Sequence, residues 1–121
     1  MKILIVDDSR AMRLIVKRIL RQTDIGDHST IEAENGQEGL KQVESENPDL
    51  VISDWNMPEM NGIEFLAAVR ESGNNVKFGF VTTEASEKMR DLATTTGANF
   101  LIAKPFTPES FESSIKPALN L

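Results

Sequence analysis

The sequence contains no cysteine and no tyrosine, and none of its apolar runs is long. Without cysteine, the chain can form no disulfide, no thiolate nucleophile and no cysteine-ligated zinc site. The run KILIV at Lys2–Val6 leads directly into two aspartates, so it is too short for a signal peptide or a membrane span. We therefore expect a cytoplasmic protein that does not enter a membrane.

Positive charge is also scarce, with 13 lysines and arginines against 19 aspartates and glutamates and a formal net charge of -6. Such a surface repels a phosphate backbone, so no direct nucleic-acid partner is expected. The 121 residues include no stretch rich in glycine, serine and proline that resembles a linker. We expect one domain over residues 1–121, and a monomer.

Short β-rich runs alternate with segments of helical periodicity along the whole chain. Strands are predicted at Lys2–Val6, Ser29–Glu34, Leu50–Ser53, Lys77–Thr82 and Asn99–Ala103. Helices are predicted after Ser9, at Gly36–Glu46, Ile63–Ser72 and Glu84–Thr96, and after Thr107, with Pro117 ending or kinking the last one. This strict alternation implies right-handed crossovers and an α/β fold, a doubly wound five-stranded parallel sheet with helices on both faces.

The first and fourth predicted helices differ in the strength of their apolar faces. In the first helix, basic residues including Arg13 are placed away from a predicted buried stripe of Met12, Ile15, Val16, Ile19 and Leu20. In the fourth helix, the apolar face is thin and is predicted to consist of Met89, Leu92 and Ala93. The fourth helix is therefore expected to be held weakly.

Polar residues follow four of the five predicted strands. Asp7 and Asp8 end the first strand, Asp54 follows the third, Thr82 ends the fourth and Lys104 follows the fifth. In a sheet of this kind, ligands collect at the carboxyl ends of the strands. All five side chains are therefore predicted to lie along one edge of the sheet.

The chemistry of this edge follows from its charges. Like-charge repulsion makes a cluster of Asp7, Asp8 and Asp54 costly unless a cation neutralises it. Mg²⁺ suits such a site because it takes oxygen ligands and keeps water or phosphate oxygens in its shell. Lys104 and the Thr82 hydroxyl are then left to meet an incoming anion. The pattern predicts a Mg²⁺-dependent site at which a carboxylate accepts a phosphoryl group.

Four motifs in this order resemble those of response-regulator receiver domains. They are VDDS at Val6–Ser9, SDWNMPEMNG at Ser53–Gly62, VTTEA at Val81–Ala85 and KPF at Lys104–Phe106. The resemblance covers essentially the full length and is strongest to CheY-like regulators of the chemotaxis type. It implies the flavodoxin-like strand order 2-1-3-4-5, which is taken from the family and not from the periodicity.

The resemblance also implies a set of roles around Asp54. Asp54 would accept a phosphoryl group from the phosphohistidine of a sensor histidine kinase. Asp8, Asp54 and the backbone carbonyl of Asn56 would ligate Mg²⁺ directly, and Asp7 would act mainly through water. Such a protein is not an enzyme in the ordinary sense, since it catalyses only its own phosphorylation and dephosphorylation.

Further residues are assigned roles around the phosphoryl group by the same resemblance. Thr82 and Lys104 would bind its oxygens and complete the catalytic set. Asn56 and Glu84, each two residues beyond a site residue, would control the water that removes it. Because both are hydrophilic, self-dephosphorylation is expected to be quick.

The output surface of the family lies on the fourth helix, the fifth strand and the fifth helix, and it binds a partner when the domain is phosphorylated. The corresponding positions here are Thr83, Ala85, Met89, Arg90, Phe100, Leu101 and Ala103. The family commonly has an aromatic residue three places before the lysine of strand five, where this chain has Leu101. Phe100 is one residue earlier, and a shift of one residue in a strand changes its face. We therefore expect no aromatic rotamer switch.

Three alternative functions conflict with particular features of the sequence. A phosphatase of the haloacid dehalogenase type has a second aspartate two residues after the nucleophile, where this chain has Asn56. A flavodoxin needs a phosphate-binding loop after the first strand, and a P-loop protein needs G-x-x-x-x-G-K-[ST]; neither is present. Within the receiver family, a diffusible output protein, a phosphorelay intermediate, a phosphate sink and a receiver from a longer regulator stay open.

Overall fold

Strands and helices alternate throughout the computed structural model, which describes residues 1–121. The elements in chain order are β1 Lys2–Val6, α1 Arg10–Arg21, β2 Ser29–Ala33, α2 Gly36–Glu46, β3 Leu50–Asp54, α3 Gly62–Glu71, β4 Lys77–Thr82, α4 Glu87–Thr96, β5 Phe100–Ala103 and α5 Pro108–Ala118. Every predicted element is present. Pro117 lies in the last turn of α5, which ends one residue later.

The five strands form one sheet in the order β2-β1-β3-β4-β5, and every neighbouring pair is parallel. The predicted order 2-1-3-4-5 is therefore confirmed. The chain leaves β1 on one side to form β2 and returns on the other side to form β3, so the direction of winding reverses at β1. The carboxyl ends of β1 and β3 flank this reversal, which is the usual place for a ligand in an open α/β sheet.

The sheet separates two apolar cores. Leu4 and Val6 face the core formed with α2, α3 and α4, whereas Ile3 and Ile5 face the core formed with α1 and α5. All four are at most 1% exposed, which explains why β1 reads as a continuous apolar run. Full burial of such a side chain stabilises the fold by about 1.5–3 kcal/mol. The sheet is thereby fixed from both faces.

The apolar stripe of α1 differs from the prediction. Ile15 is 42% exposed, while Arg13, predicted to lie on a polar face, is only 9% exposed. The buried residues of α1 are Arg13, Val16 and Leu20. The helix takes this rotation because the guanidinium of Arg13 finds polar partners at the end of the sheet, so no buried polar atom of the side chain lacks a hydrogen-bond partner.

Helix α4 also differs from the prediction. It begins at Glu87 and not at Glu84, because the Ser86 hydroxyl accepts a hydrogen bond from the Met89 amide at 3.2 Å and caps the helix. Leu92, predicted to face the core, is 46% exposed, and Ala93 is the one buried residue of the helix. Helix α4 therefore buries even fewer apolar side chains than the sequence predicted.

Two of the three predicted output residues on the fifth strand face opposite sides of the sheet. Leu101 packs against the core on the α4 side, and Phe100 packs against the core on the α1 and α5 side. The Phe100 ring lies over Gly79 of β4 so closely that a Cβ atom at Gly79 would collide with it. The change of face predicted from the one-residue shift is confirmed.

Candidate functional site

Asp54 is the last residue of β3, and its carboxylate is held from two sides. Its Oδ1 atom accepts a hydrogen bond from the backbone N–H of Trp55 at 2.9 Å. The Nζ atom of Lys104 lies 3.5 Å from the same oxygen. The side chains of Asp54 and Lys104 are 13% and 15% exposed, so this ion pair is mostly shielded but open to one side.

The backbone around Asp54 is fixed by the loop that follows it. The Gly62 amide donates to the Trp55 carbonyl at 2.8 Å, which closes the loop between β3 and α3. The Trp55 ring packs on Phe80 with the ring centroids 4.7 Å apart. A Cβ atom on Gly62 would lie 2.6 Å from the Asp54 carbonyl oxygen, so only glycine permits this close approach. Asp54 therefore projects from a rigid support.

Three carboxylates meet at the carboxyl ends of β1 and β3. Asp7, Asp8 and Asp54 each offer an oxygen, and these oxygens all lie within 4.8 Å of one another. Asp7 is 5% exposed, Asp54 is half-buried and Asp8 is exposed. A set of hard oxygen donors with one side open to solvent suits Mg²⁺, which keeps part of its water shell. The residues present therefore fit the predicted ion.

The electrostatics of the cluster reflect its burial. Burial raises the pKa of Asp7 to about 6, and the neighbouring Asp54 and Asp8 add to this rise. The Ser9 N–H, which donates to Asp7 Oδ1 at 2.9 Å, and the Lys104 ammonium oppose it. Burial also raises the pKa of Asp54, against the effect of Lys104. The ionised forms of Asp7 and Asp54 are therefore disfavoured in the folded protein unless a cation binds to the cluster.

Thr82 and Lys104 lie on the β4 and β5 side of the cluster. Asp54 pairs with Val81 in the sheet, which puts Thr82 at the next position on the neighbouring strand end. Thr82 is fully buried, and its hydroxyl accepts a hydrogen bond from the Glu84 amide at 3.2 Å. The Lys104 amide donates to the Thr82 carbonyl at 2.8 Å, and the Lys104–Pro105 peptide bond is cis. The two residues are thus tied together by their backbones.

The remaining predicted residues are spread over the loops after β3 and β4 and over the surface of α4 and β5. Asn56 and Glu84 are both exposed in the loops after β3 and β4. On the output face, the Nη1 atom of Arg90 donates to the Leu101 carbonyl at 3.4 Å. Met89 packs against the core on the α4 side. Thr83 and Ala103 are exposed, and Ala85 is partly buried.

One residue that contacts the cluster was not predicted. Arg13 donates from Nη1 to the backbone carbonyl of Asp7 at 2.6 Å, in a buried hydrogen bond. Its position one helical turn after Ser9, which follows the paired aspartates, was the available signal in the sequence. Helical periodicity assigned it to a polar face because the pattern contains no information about a polar partner on another strand.

A model of the response regulator receiver domain family matches residues 3–116. The chain is a response-regulator receiver domain. It is 42% identical over 118 residues to the chemotaxis protein CheY of Pseudomonas aeruginosa, and the match covers 96% of this chain and 94% of that protein. It is 38% identical over 123 residues to a CheY homolog of Campylobacter jejuni, covering 99% and 93%.

A solved structure of the Vibrio cholerae chemotaxis protein CheY4 resembles this receiver domain with a TM-score of 0.86 and 32% identity, covering 98% of each chain. The receiver domain therefore belongs with the CheY-like chemotaxis response regulators, as the four motifs indicated. Receiver domains bind Mg²⁺ in an acidic pocket, and the three aspartates form such a pocket here. None of the helices is both long and apolar enough to cross a membrane.

Proposed function

We propose that this receiver domain takes a phosphoryl group onto Asp54 from the phosphohistidine of a sensor histidine kinase and then signals to a protein partner. The observation that supports this most strongly is the position of Asp54. It is a half-buried carboxylate at a strand end, grouped with two further carboxylates and 3.5 Å from the Lys104 ammonium. A carboxylate so placed can act as a nucleophile toward an anionic donor only with cationic help.

The chemical step transfers the phosphoryl group between two nucleophiles. An Oδ atom of Asp54 forms a bond to phosphorus while the bond from phosphorus to the donor nitrogen breaks, and that nitrogen leaves with the electron pair. The product is an acyl phosphate on Asp54. Hydrolysis later breaks the bond between phosphorus and the aspartyl oxygen, releases inorganic phosphate and restores the carboxylate.

The carboxylates at this edge would hold the metal that the reaction needs. We assign Asp8, Asp54 and the backbone carbonyl of Asn56 as direct ligands of Mg²⁺, with Asp7 acting through water. When bound, Mg²⁺ supplies positive charge that offsets the cluster and the phosphoryl oxygens. The hydrogen bond that Asp7 Oδ1 accepts from the Ser9 N–H at 2.9 Å would hold this carboxylate in place as an acceptor for such a water.

Thr82 and Lys104 would contact the phosphoryl oxygens once the acyl phosphate forms. Lys104 can turn from Asp54 Oδ1 to a phosphoryl oxygen with little movement, since its Nζ already lies 3.5 Å away. The Thr82 hydroxyl accepts from the Glu84 amide, so its hydrogen is available for donation. Charge-assisted hydrogen bonds of this kind are among the strong ones. They would link the state of Asp54 to the loop that leads into α4.

The wild-type protein tests this function directly. Incubation with acetyl phosphate and Mg²⁺, followed by intact-mass spectrometry, is expected to show one added phosphoryl group. The same incubation with EDTA should show none, because the carboxylates then repel the donor. Peptide mapping should locate the label at Asp54. Labelling without a divalent metal, or labelling at another residue, would contradict the proposal.

The named relatives act in chemotaxis, which supports a chemotaxis-like output protein over a phosphorelay intermediate or a phosphate sink. We place its action in the cytoplasm, as a monomer whose partner binds the α4 and β5 surface in the phosphorylated state. A pull-down that compares the beryllofluoride-activated protein with Asp54→Asn would identify that partner. Recovery of the same proteins from both samples would argue against phosphorylation-dependent output.

The lifetime of the acyl phosphate should depend on Asn56 and Glu84. Both side chains are hydrophilic and exposed, so water can reach the phosphoryl group. Asn56→Arg should slow the decay of phospho-Asp54 several-fold, because the larger cationic side chain blocks the path of water and can pair with the phosphoryl oxygens. Decay is measured by mass spectrometry after the donor is removed. Asn75→Arg, at an exposed asparagine far from the site, is the control and should decay at the wild-type rate.

Activation should pass through Thr82 and not through an aromatic ring of β5. Inward movement of Thr82 leaves space beneath α4, and Leu101 is too small to fill it as an aromatic ring would. We expect the loop at residues 83–86 to shift, since α4 has only one buried residue, Ala93. Beryllofluoride should change amide hydrogen exchange in this loop in the wild type and in Leu101→Ala, but not in Thr82→Ala. The reverse pattern would assign the switch to β5.

A further inference from the structure

Arg13 is buried beside the acidic cluster without pairing with any of its carboxylates. Its Nη1 atom donates to the backbone carbonyl oxygen of Asp7 at 2.6 Å, and the bond is buried. Asp7 also donates its own amide to the Ala33 carbonyl at 3.1 Å and accepts the Ser9 amide at Oδ1. The bond from Arg13 therefore fixes the third polar group of Asp7, at the point where the chain leaves β1 and enters the turn that carries Asp8.

The guanidinium is itself held in place from β2. Its Nε atom donates to Glu32 Oε1 at 2.9 Å, and Lys17 donates to the other oxygen of Glu32 at 3.0 Å. Glu32 lies opposite Ile5 in the pairing of β2 with β1. The hydrogen bond from Lys17, followed by that from Arg13, holds the pKa of Glu32 below its ordinary value against the effect of burial. Glu32 therefore stays ionised and keeps Arg13 oriented.

Arg13 can orient the backbone at Asp7 without neutralising the carboxylates of the cluster. A guanidinium has donors in a rigid planar fork, so Arg13 can contact a carbonyl and a carboxylate at once. Its charge is taken up by Glu32, and its second contact is a neutral carbonyl oxygen. Arg13 thus holds the turn at Asp7 and Asp8 in position, and the negative charge of the three carboxylates remains available to a cation.

We propose that Arg13 is a positioning residue for the Mg²⁺ site, which it builds by fixing the turn from which Asp7 and Asp8 project. The proposal rests on the use of Mg²⁺ in the proposed function. Groups that orient metal ligands without touching the metal typically change metal affinity by about 10- to 100-fold when they are removed. Lys17 offers a matched comparison, because it donates to the same Glu32 but makes no hydrogen bond with Asp7.

Binding of Mg²⁺ alone tests this proposal without any phosphorylation. Trp55 is the one tryptophan of the chain and donates its amide to Asp54, so its fluorescence can report the titration. Arg13→Gln should raise the Mg²⁺ dissociation constant by roughly 10-fold or more. Lys17→Gln should leave it close to the wild-type value, because Arg13 still contacts both Glu32 and the Asp7 carbonyl in that variant. Equal dissociation constants in Arg13→Gln and the wild type, or equal weakening in both variants, would overturn the proposal.

A second variant separates this effect from general destabilisation. Arg13→Lys keeps the charge, but a single ammonium on a different stem cannot span both acceptors, so Mg²⁺ binding should weaken although the protein stays folded. Urea denaturation in EDTA monitors folding for each variant. If Arg13→Gln does not fold, Arg13→Lys decides the question, and wild-type affinity in it would refute the role. Failure of the wild type to bind Mg²⁺ would instead refute the proposed function.

Discussion

Asp54→Asn should take up no phosphoryl group from acetyl phosphate with Mg²⁺ present, under conditions in which the wild type is fully labelled. An amide nitrogen or oxygen at this position is a far weaker nucleophile than a carboxylate, and the substitution also removes one of the three charges that favour the cation. Intact-mass spectrometry measures the labelled fraction. This is the largest effect that we expect from any single substitution in the chain.

The matched control for this experiment is Asp91→Asn. Asp91 is an exposed aspartate on α4, and no hydrogen bond or ion pair involves its side chain. Its replacement makes the same change of charge and should leave labelling complete. Full labelling of Asp54→Asn would mean that another carboxylate is the acceptor, and the assignment of the nucleophile would then be wrong.

Asp7→Asn should stabilise the metal-free protein at pH 7. The rise of the Asp7 pKa from its ordinary value of 3.8 to about 6 means that the folded state disfavours the charged carboxylate. At about 1.4 kcal/mol per pH unit, this costs on the order of 3 kcal/mol of unfolding free energy at pH 7. The asparagine removes the charge and can still accept the Ser9 N–H. Urea denaturation in EDTA measures the difference.

The pH dependence of this effect has a definite sign. Because the folded state holds the Asp7 proton more tightly than the unfolded state, the wild type is more stable when the carboxyl is protonated, and stability is lost as the pH rises from 3.8 to about 6. Asp54, whose pKa is also raised, acts in the same direction. Asp7→Asn should flatten this loss. An equal loss of stability across this range in both proteins would contradict the prediction.

Mg²⁺ should stabilise the wild type more than it stabilises Asp7→Asn. A ligand that binds only the folded state stabilises it in proportion to its affinity, and the wild type has the fuller set of carboxylates. Its melting temperature should therefore rise more on addition of Mg²⁺ than that of Asp7→Asn. Equal shifts would show that Asp7 has no part in the metal site.

The sequence placed the predicted site residues at one edge of the sheet because these residues directly follow the strands. Continuous apolar runs such as Lys2–Val6 marked the strands, and strict alternation with helices required a parallel sheet. Asp54 and Lys104, fifty residues apart, were then assigned to the same edge, where they form an ion pair. The order of the strands could not be predicted in this way, because periodicity does not encode which strands are neighbours. It was taken from the resemblance to receiver domains.

The errors have a common physical origin. The burial of Arg13 depends on Glu32, which is brought near only by the pairing of β2 with β1. The start of α4 depends on whether Ser86 caps the helix, and the preceding Glu84 is equally compatible with a helix until its amide is taken by Thr82. A tertiary hydrogen bond determined which face of α1 is buried, and a local cap determined where α4 begins. The pattern of apolar residues could not distinguish the alternatives in either region.

The contact of Phe100 with Gly79 makes these two positions interdependent. The ring occupies the volume that a side chain on β4 would need, so Gly79→Ala alone must displace it, whereas Gly79→Ala combined with a smaller residue at position 100 restores the volume. Double-mutant cycles should therefore find positive coupling between the two sites. Among relatives, a glycine at the first position should be accompanied by a large residue at the second. This pairing couples two neighbouring strands on the sheet face opposite α4, so side-chain volume there cannot evolve one position at a time.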